Sequence, residues 1–369
     1  MLNFNFQITD FNLDSVSAEE KGRFYKIFQL LEEVWQNSRM QIESTSNIKK
    51  LSTIHPTIHG RGYHTVEHTV SVVNYCYKLG IKLHQLYPLE YPAIDILILL
   101  IGAMLHDYVQ EGDINLVSKK YQIKENGELK IKTTKIPIFK RETGNNEFSS
   151  ANIGVELMKS YNQQLGKIIF KPENINSLLN LIQSTEPDFG RVVVLEGEKL
   201  IEYSTVVQPK LISPIIITRW VICVSDLGTV SFSPDKLIED AYKLIREETW
   251  ESNLIRILNG QLDPKITHLD YVETCVISSL ISEFVNFQSS FVKAQKQRTK
   301  NYLDMFDSSA RAILIPFFQE HDPKVEFSNF DYALALVETE VNIVNQLHQE
   351  ILNGNYESFL KLLTRTQYI

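Results

Sequence analysis

The most apolar stretch of this chain, from Ala93 to Leu105, runs straight into a histidine and an aspartate, His106 and Asp107. A run of that length is too short to span a bilayer and reads as a buried core helix. An ionised carboxylate at the end of such a helix is costly to bury without a partner. The adjacent imidazole does not supply one, because consecutive side chains on a helix do not face each other. Either backbone groups satisfy the pair or a cation does, since imidazole nitrogen and carboxylate oxygen are both good ligands for a divalent ion.

The pattern recurs. The segment IIITRWVICVSDLG buries Asp226 near the end of a second very apolar helix. The segment GYHTVEHTVSVV carries His64 and His68, four residues apart and so on one face if both are helical. His64 falls just before that helix or in its first turn. A spacing of four between two histidines is weak evidence alone, as is an aspartate beside a turn. Three separate apolar helices, each delivering ligand-type residues, make chance a poor explanation. Together His68, His106, Asp107 and Asp226 offer two imidazoles and two carboxylates. That set suits Mn²⁺, Fe²⁺, Mg²⁺ or Zn²⁺ and leaves positions open for water and substrate on a six-coordinate ion.

The surrounding pattern predicts an all-α fold with small β-hairpin insertions. Helical spacing covers about 18–40, 65–79 (ended by Gly80), 92–108, 147–166, 174–186 and 234–258. Ser213-Pro214 reads as an N-cap with proline at the first helical position. A hairpin is predicted over about 118–142, where Asn126-Gly127 is a strong two-residue turn signal. A second is predicted over about 191–207. Residues 119–141 hold eight Lys/Arg against two Glu, so the first hairpin is either a solvated surface element or a basic flap over an anionic substrate. A soft boundary near 264 separates residues 1–263 from a helical C-terminal extension, 264–369. That extension is expected to pack on the core or to mediate homo-oligomers. No repeat of 20–50 residues is visible.

Composition narrows the setting. The chain has 369 residues, 43% of them apolar, enough for a core of normal size. A net charge of -8 argues against a general nucleic-acid binder but leaves room for a local basic patch. Three cysteines, Cys76, Cys223 and Cys275, lie in apolar stretches with no zinc spacing, which points to buried thiols in a reducing compartment. The N-terminal residues lack a basic segment followed by an apolar one. A soluble, cytoplasmic protein with no membrane partner is expected.

The order His, then His-Asp, then Asp on successive helices resembles the HD superfamily of metal-dependent phosphohydrolases. YHTVEHT is similar to the YHNxxH segment shared by cyclic-nucleotide phosphodiesterases and a bacterial group of predicted HD phosphohydrolases. HDYVQ, the stretch from Asn146-Glu147 to Ser150-Ala151, and Ser225-Asp226-Leu227-Gly228 are similar to that bacterial group's HDxVY, NExxSA and D-L segments. The resemblance covers about residues 20–250 and implies an HD-type helical bundle.

It also implies roles. His68, the second histidine of its pair, is a metal ligand, and His64 protonates the leaving oxygen. Glu147 is an acidic residue near the metal, holding a bridging water or a ligand. The phosphodiesterases' further histidines for a second metal are replaced here by Val109-Gln110-Glu111 and Asn146-Glu147. Arg61, Lys119 and Gln110 are candidate substrate contacts, and His55 and His59 lie in the loop before the motif. The expected activity is hydrolysis of a phosphoester, a nucleotide or cyclic nucleotide, by a metal-activated water. Two rivals are a non-catalytic metal- and nucleotide-binding sensor or scaffold, and a di-iron oxygenase, which needs a fuller two-metal ligand set.

Overall fold

The computed structural model describes residues 4, 6–14, 16–46, 63–208, 217–249 and 271–366. Three helices come first: α1 (Ala18–Ser46), α2 (Val66–Leu86) and α3 (Ala93–Leu105). Every residue of α3 except Asp95 is buried, so it cannot lie on a surface and must be enclosed by the others. α1 turns Phe24, Ile27, Leu31, Val34 and Trp35 inward at helical spacing and packs on α3. Its Ser38 hydroxyl also donates to the Met104 carbonyl near the end of α3.

α2 starts at Thr65, whose hydroxyl accepts the His68 amide at 3.4 Å as an N-cap. The helix does not stop at Gly80, as expected, but continues to Leu86. The reason is packing. A β-carbon at Gly80 would stand 3.1 Å from the Ile96 side chain, so this glycine marks a close approach of α2 to α3.

After α3, strands β1 (Gly112–Glu125) and β2 (Glu128–Arg141) form an antiparallel hairpin. It turns at Asn126 and Gly127, which both have positive φ as a two-residue turn of this kind requires. It is longer than the sequence pattern indicated, because its strands begin at Gly112, close behind the His-Asp pair. α4 (Asn145–Gln164) and α5 (Pro172–Gln183) then cover α3. β3 (Asp188–Glu196) and β4 (Lys199–Val207) make the second hairpin. α6 (Ile217–Asp226), α7 (Thr229–Phe232) and α8 (Leu237–Thr249) follow.

The C-terminal part holds α9 (Tyr271–Leu303), α10 (Ser308–Leu314), α11 (Ser328–Leu352) and α12 (Tyr356–Arg365). α9 is long and apolar enough to cross a membrane, but more than half of its most apolar window is buried inside the protein. Both hairpins and α11 pack along it. Val292, Leu303, Leu314, Phe318 and Phe330 from this part join the same apolar cluster as α1 to α6. Ile277, Ile281 and Phe359 pack with Tyr242 and Ile245 of α8 in a second cluster. Among the described residues the fold is therefore mostly helical, with twelve α-helices and two two-stranded sheets. The expected N-cap at Ser213-Pro214, the boundary near 264 and the end of the helix expected over 234–258 lie outside the described residues.

Candidate metal centre

Three helix ends meet at one point: the start of α2, the end of α3 and the end of α6. His68 Nε2 lies 3.1 Å from Asp226 Oδ1 and 3.5 Å from Asp107 Oδ2. His106 Nε2 lies 3.2 Å from Asp107 Oδ2 and 3.4 Å from Asp226 Oδ1. Two nitrogens and two carboxylate oxygens thus alternate around a centre. Neighbouring ligands on one ion, with bonds of about 2.1 Å, stand about 3.0 Å apart in octahedral and about 3.4 Å apart in tetrahedral geometry. Three of the four separations sit in that range, and the fourth, at 3.5 Å, lies just above it.

The orientation of each donor has a local cause. His106 Nδ1 lies 2.8 Å from the Ala103 carbonyl, so Nδ1–H donates there and the Nε2 lone pair faces the centre. Gln110 donates to Asp107 Oδ1 at 2.7 Å, leaving Oδ2 for the centre. His106 Nε2 and Asp107 Oδ2 are buried and have no hydrogen-bond partner among the described residues. Such atoms are rare because each costs about 1–3 kcal/mol, and a cation at the centre satisfies both at once. Asp226 is held by a tight turn. A β-carbon at Gly228 would fall 2.5 Å from the Ser225 carbonyl, so the chain can turn there only with glycine.

The charges are mutually dependent. Burial opposes ionisation of Asp107, yet the imidazoles of His106, His64 and His68 hold its carboxyl well below the usual range. Burial likewise opposes Asp226, and His106 and His68 bring it below its ordinary value. Burial alone would lower His106, but the two carboxylates raise it well above the ordinary imidazole value. His68, His106 and Asp107 form a group that can hold a metal ion.

His64 stands outside this ring, its imidazole centred 6.1 Å from that of His68. It is buried, and its Nδ1 lies 2.6 Å from Glu247 Oε1 of α8. The second oxygen of Glu247 accepts the backbone amides of Tyr63 and His64 at 3.0 and 3.1 Å. On the other side, Arg141 Nη1 donates to His64 Nε2. Burial and the Arg141 guanidinium push the His64 imidazole down. Because a guanidinium can only donate, Nε2 accepts from Arg141 and Nδ1–H is donated to Glu247. Burial works against Glu247, but His64 and Arg141 bring its carboxyl down to about 2. Neither Glu247 nor Arg141 was singled out from the sequence. Arg141 was one of eight basic residues in a hairpin, and Glu247 one acid among several in an amphipathic helix.

The other expected residues distribute unevenly. Glu147 is buried near the site, where its Oε2 accepts the Gly144 amide at 2.6 Å as a helix cap and its Oε1 lies 3.8 Å from Arg141 Nη2. Burial raises its carboxyl. Gln110 is buried and donates to Asp107 from inside the protein. Lys119 pairs with Thr134, seven positions from Arg141 along β2, which is about 23 Å at about 3.3 Å per residue. Lys130 and Lys132 are farther still, paired with Glu125 near the turn. The hairpin therefore reaches the site with its base and not with its lysine-rich tip. Arg61, His55 and His59 lie outside the described residues.

A polar cleft opens beside His68, lined by Tyr63, Thr65, Tyr75, Thr229, Ser233 and Lys243 among others. The ring of Tyr63 packs on His68 at 4.6 Å between centroids. Compared with known proteins, the chain matches no protein-family model, no curated protein and no solved structure.

Proposed function

We propose that this chain is a metal-dependent phosphohydrolase of the HD type, acting on a nucleotide, a cyclic nucleotide or another small phosphoester. The observation that carries the reading is the convergence of His68, His106, Asp107 and Asp226 from three helix ends, with orphaned buried donors pointing inward. A divalent cation bound there supplies Lewis acidity and a water of lowered pKa. The protein's own residues do the rest. His106 and Asp107 are fixed by Ala103 and Gln110, so their donors need no rearrangement to bind. Glu247 holds His64 by Nδ1, which directs Nε2 toward the hairpin base and away from the carboxylate.

In this reading His64 Nε2 gives a proton to the departing alkoxide while Glu247 steadies the imidazolium. At rest Nε2 accepts from Arg141 and carries no proton. Turnover therefore requires Arg141 to leave Nε2, so that Nε2 can take up a proton from solvent before giving it to the leaving oxygen. The departure of Arg141 also removes the charge that depresses the imidazole. The cleft beside His68, with its tyrosines and hydroxyls, suits a sugar or nucleoside portion.

One observation favours a second reading, a non-catalytic sensor: the only nitrogen of His64 free of Glu247 is closed by Arg141 in the resting state. The test is a screen of nucleotides, cyclic nucleotides and nitrophenyl phosphoesters with protein loaded with Mn²⁺, Mg²⁺, Fe²⁺ or Zn²⁺. Metal-dependent turnover supports the hydrolase. Stoichiometric metal with no turnover, but with nucleotide binding, supports the sensor.

A further inference from the structure

We propose that Arg141 is the residue that grips the phosphoryl group of the substrate, delivered to the metal centre by the base of the first hairpin. This rests on the phosphohydrolase reading and adds to it the residue that recognises the anion. Arg141 ends β2, and its guanidinium stands beside both His64 and Asp107. Its Nη1 donates to His64 Nε2, while its Nη2 lies 4.0 Å from Asp107 Oδ1 and 3.8 Å from Glu147 Oε1. Its Nε is buried with no partner among the described residues.

A guanidinium offers five donors in a planar fork that matches two oxygens of a phosphate. Here no carboxylate fills that fork. Both acids stand beyond hydrogen-bond reach, and among the described residues the single short contact is to an imidazole. A cation whose task was structural would be expected to sit in a bidentate pair, as Arg365 does with Glu340 in the C-terminal part. Arg141 is instead held close to a ligand of the centre and to the proposed proton donor with donors to spare.

The hairpin fixes this placement from outside the site. The Gln122 amide donates to Ser279 Oγ at 3.1 Å, and the Lys124 amide to the Tyr271 hydroxyl at 3.2 Å. Tyr121 and Ile123 bury against Cys275 and Leu352. At its base the Glu142 amide closes on the Glu111 carbonyl at 3.0 Å. The hairpin that carries Arg141 is thus clamped to α9 and α11 through β1 near its turn, and at its base to the segment after the His-Asp pair. Such preorganisation lowers the cost of ordering a long side chain around an anion.

The experiment is a calorimetric titration of inorganic orthophosphate into the full-length, metal-loaded protein, with metal content and ester hydrolysis measured in parallel. Arg141→Gln should keep its metal and bind orthophosphate roughly 10- to 100-fold more weakly, the usual worth of a charge-assisted contact. Arg141→Lys should fall between, because an ammonium cannot make two parallel bonds. Should R141Q lose its metal or fail to fold, R141K decides. A folded, metal-loaded R141K with wild-type phosphate affinity would overturn the proposal. So would R141Q that binds orthophosphate like the wild type; if the wild type hydrolyses esters, that result leaves the reading of the metal centre intact. A metal-loaded wild type that binds no orthophosphate and cleaves nothing overturns both.

Discussion

Two clusters lie side by side beneath the first turn of α2, and they are assembled on opposite plans. The metal ring takes its four side chains from the ends of apolar helices, where an ionisable residue is conspicuous and expensive. The triangle of His64, Glu247 and Arg141 takes one residue from the turn before α2, one from α8 and one from the end of β2. In the ring, donors of both kinds face a shared centre and leave two atoms without partners among the described residues. In the triangle, burial works against the Glu247 carboxyl while His64 and then Arg141 hold it low, and burial and Arg141 push the His64 imidazole down. The first arrangement can hold a cation. The second is closed at rest, and in the proposed mechanism it has to open before His64 can act.

The largest expected effect separates the two clusters outright. Asp107→Ala removes one anionic ligand from the ring, so metal content and any activity should both drop to background while the helical fold persists. Metal analysis with circular dichroism checks this, and stoichiometric metal in the folded variant would remove Asp107 from the ligand set.

His64→Ala should do the reverse. Metal content should stay at the wild-type level, and turnover should fall by roughly 10²–10⁴-fold. The loss should be smaller for an ester of p-nitrophenol, whose departing oxygen needs little protonation. An equal loss on good and poor leaving groups, with full metal, would refute proton donation by His64.

Glu247 gives the triangle a pH signature of intermediate size. Its carboxyl titrates lower in the folded chain than in the unfolded one, so its stabilising contribution is present above the ordinary glutamate range. That contribution disappears as the pH falls toward about 2. Its full value is roughly 3 kcal/mol. Glu247→Gln should be less stable near neutral pH and should lose less of its stability on acidification than the wild type. Denaturant unfolding as a function of pH measures both. Parallel curves for the two proteins would mean that Glu247 is not ionised against His64 and Arg141.

The smallest effect is expected at the hairpin tip. Replacing Lys130 and Lys132 by alanine should leave orthophosphate affinity and metal content unchanged, since Lys132 stands nine positions from Arg141 along β2, about 30 Å. A salt-dependent loss of phosphate affinity in this double variant would restore the lysine-rich tip as a flap over the substrate.

The ring was legible in the sequence because its signal is local. His106-Asp107 and Asp226 end apolar helices, and the cost of burying a carboxylate there is visible in a window of about a dozen residues. The first hairpin was legible for the same reason, since Asn126-Gly127 can adopt the two left-handed conformations its turn needs. Gly80 shows where local reasoning misleads: it resembles a helix stop, yet its role is set by Ile96 on another helix.

By itself, then, the sequence determined which segments are buried, which ends of them carry ligand-type groups, and where the chain turns back on itself. The tertiary structure alone decided that His64 faces Glu247, 183 residues away, and Arg141, 77 residues away. It also decided that the hairpin meets the site at its base. The physical reason is one of range. Helical and strand periodicities report how a residue faces its own element. A charge pair across the fold leaves no periodic trace, because it depends on where the elements are placed against one another.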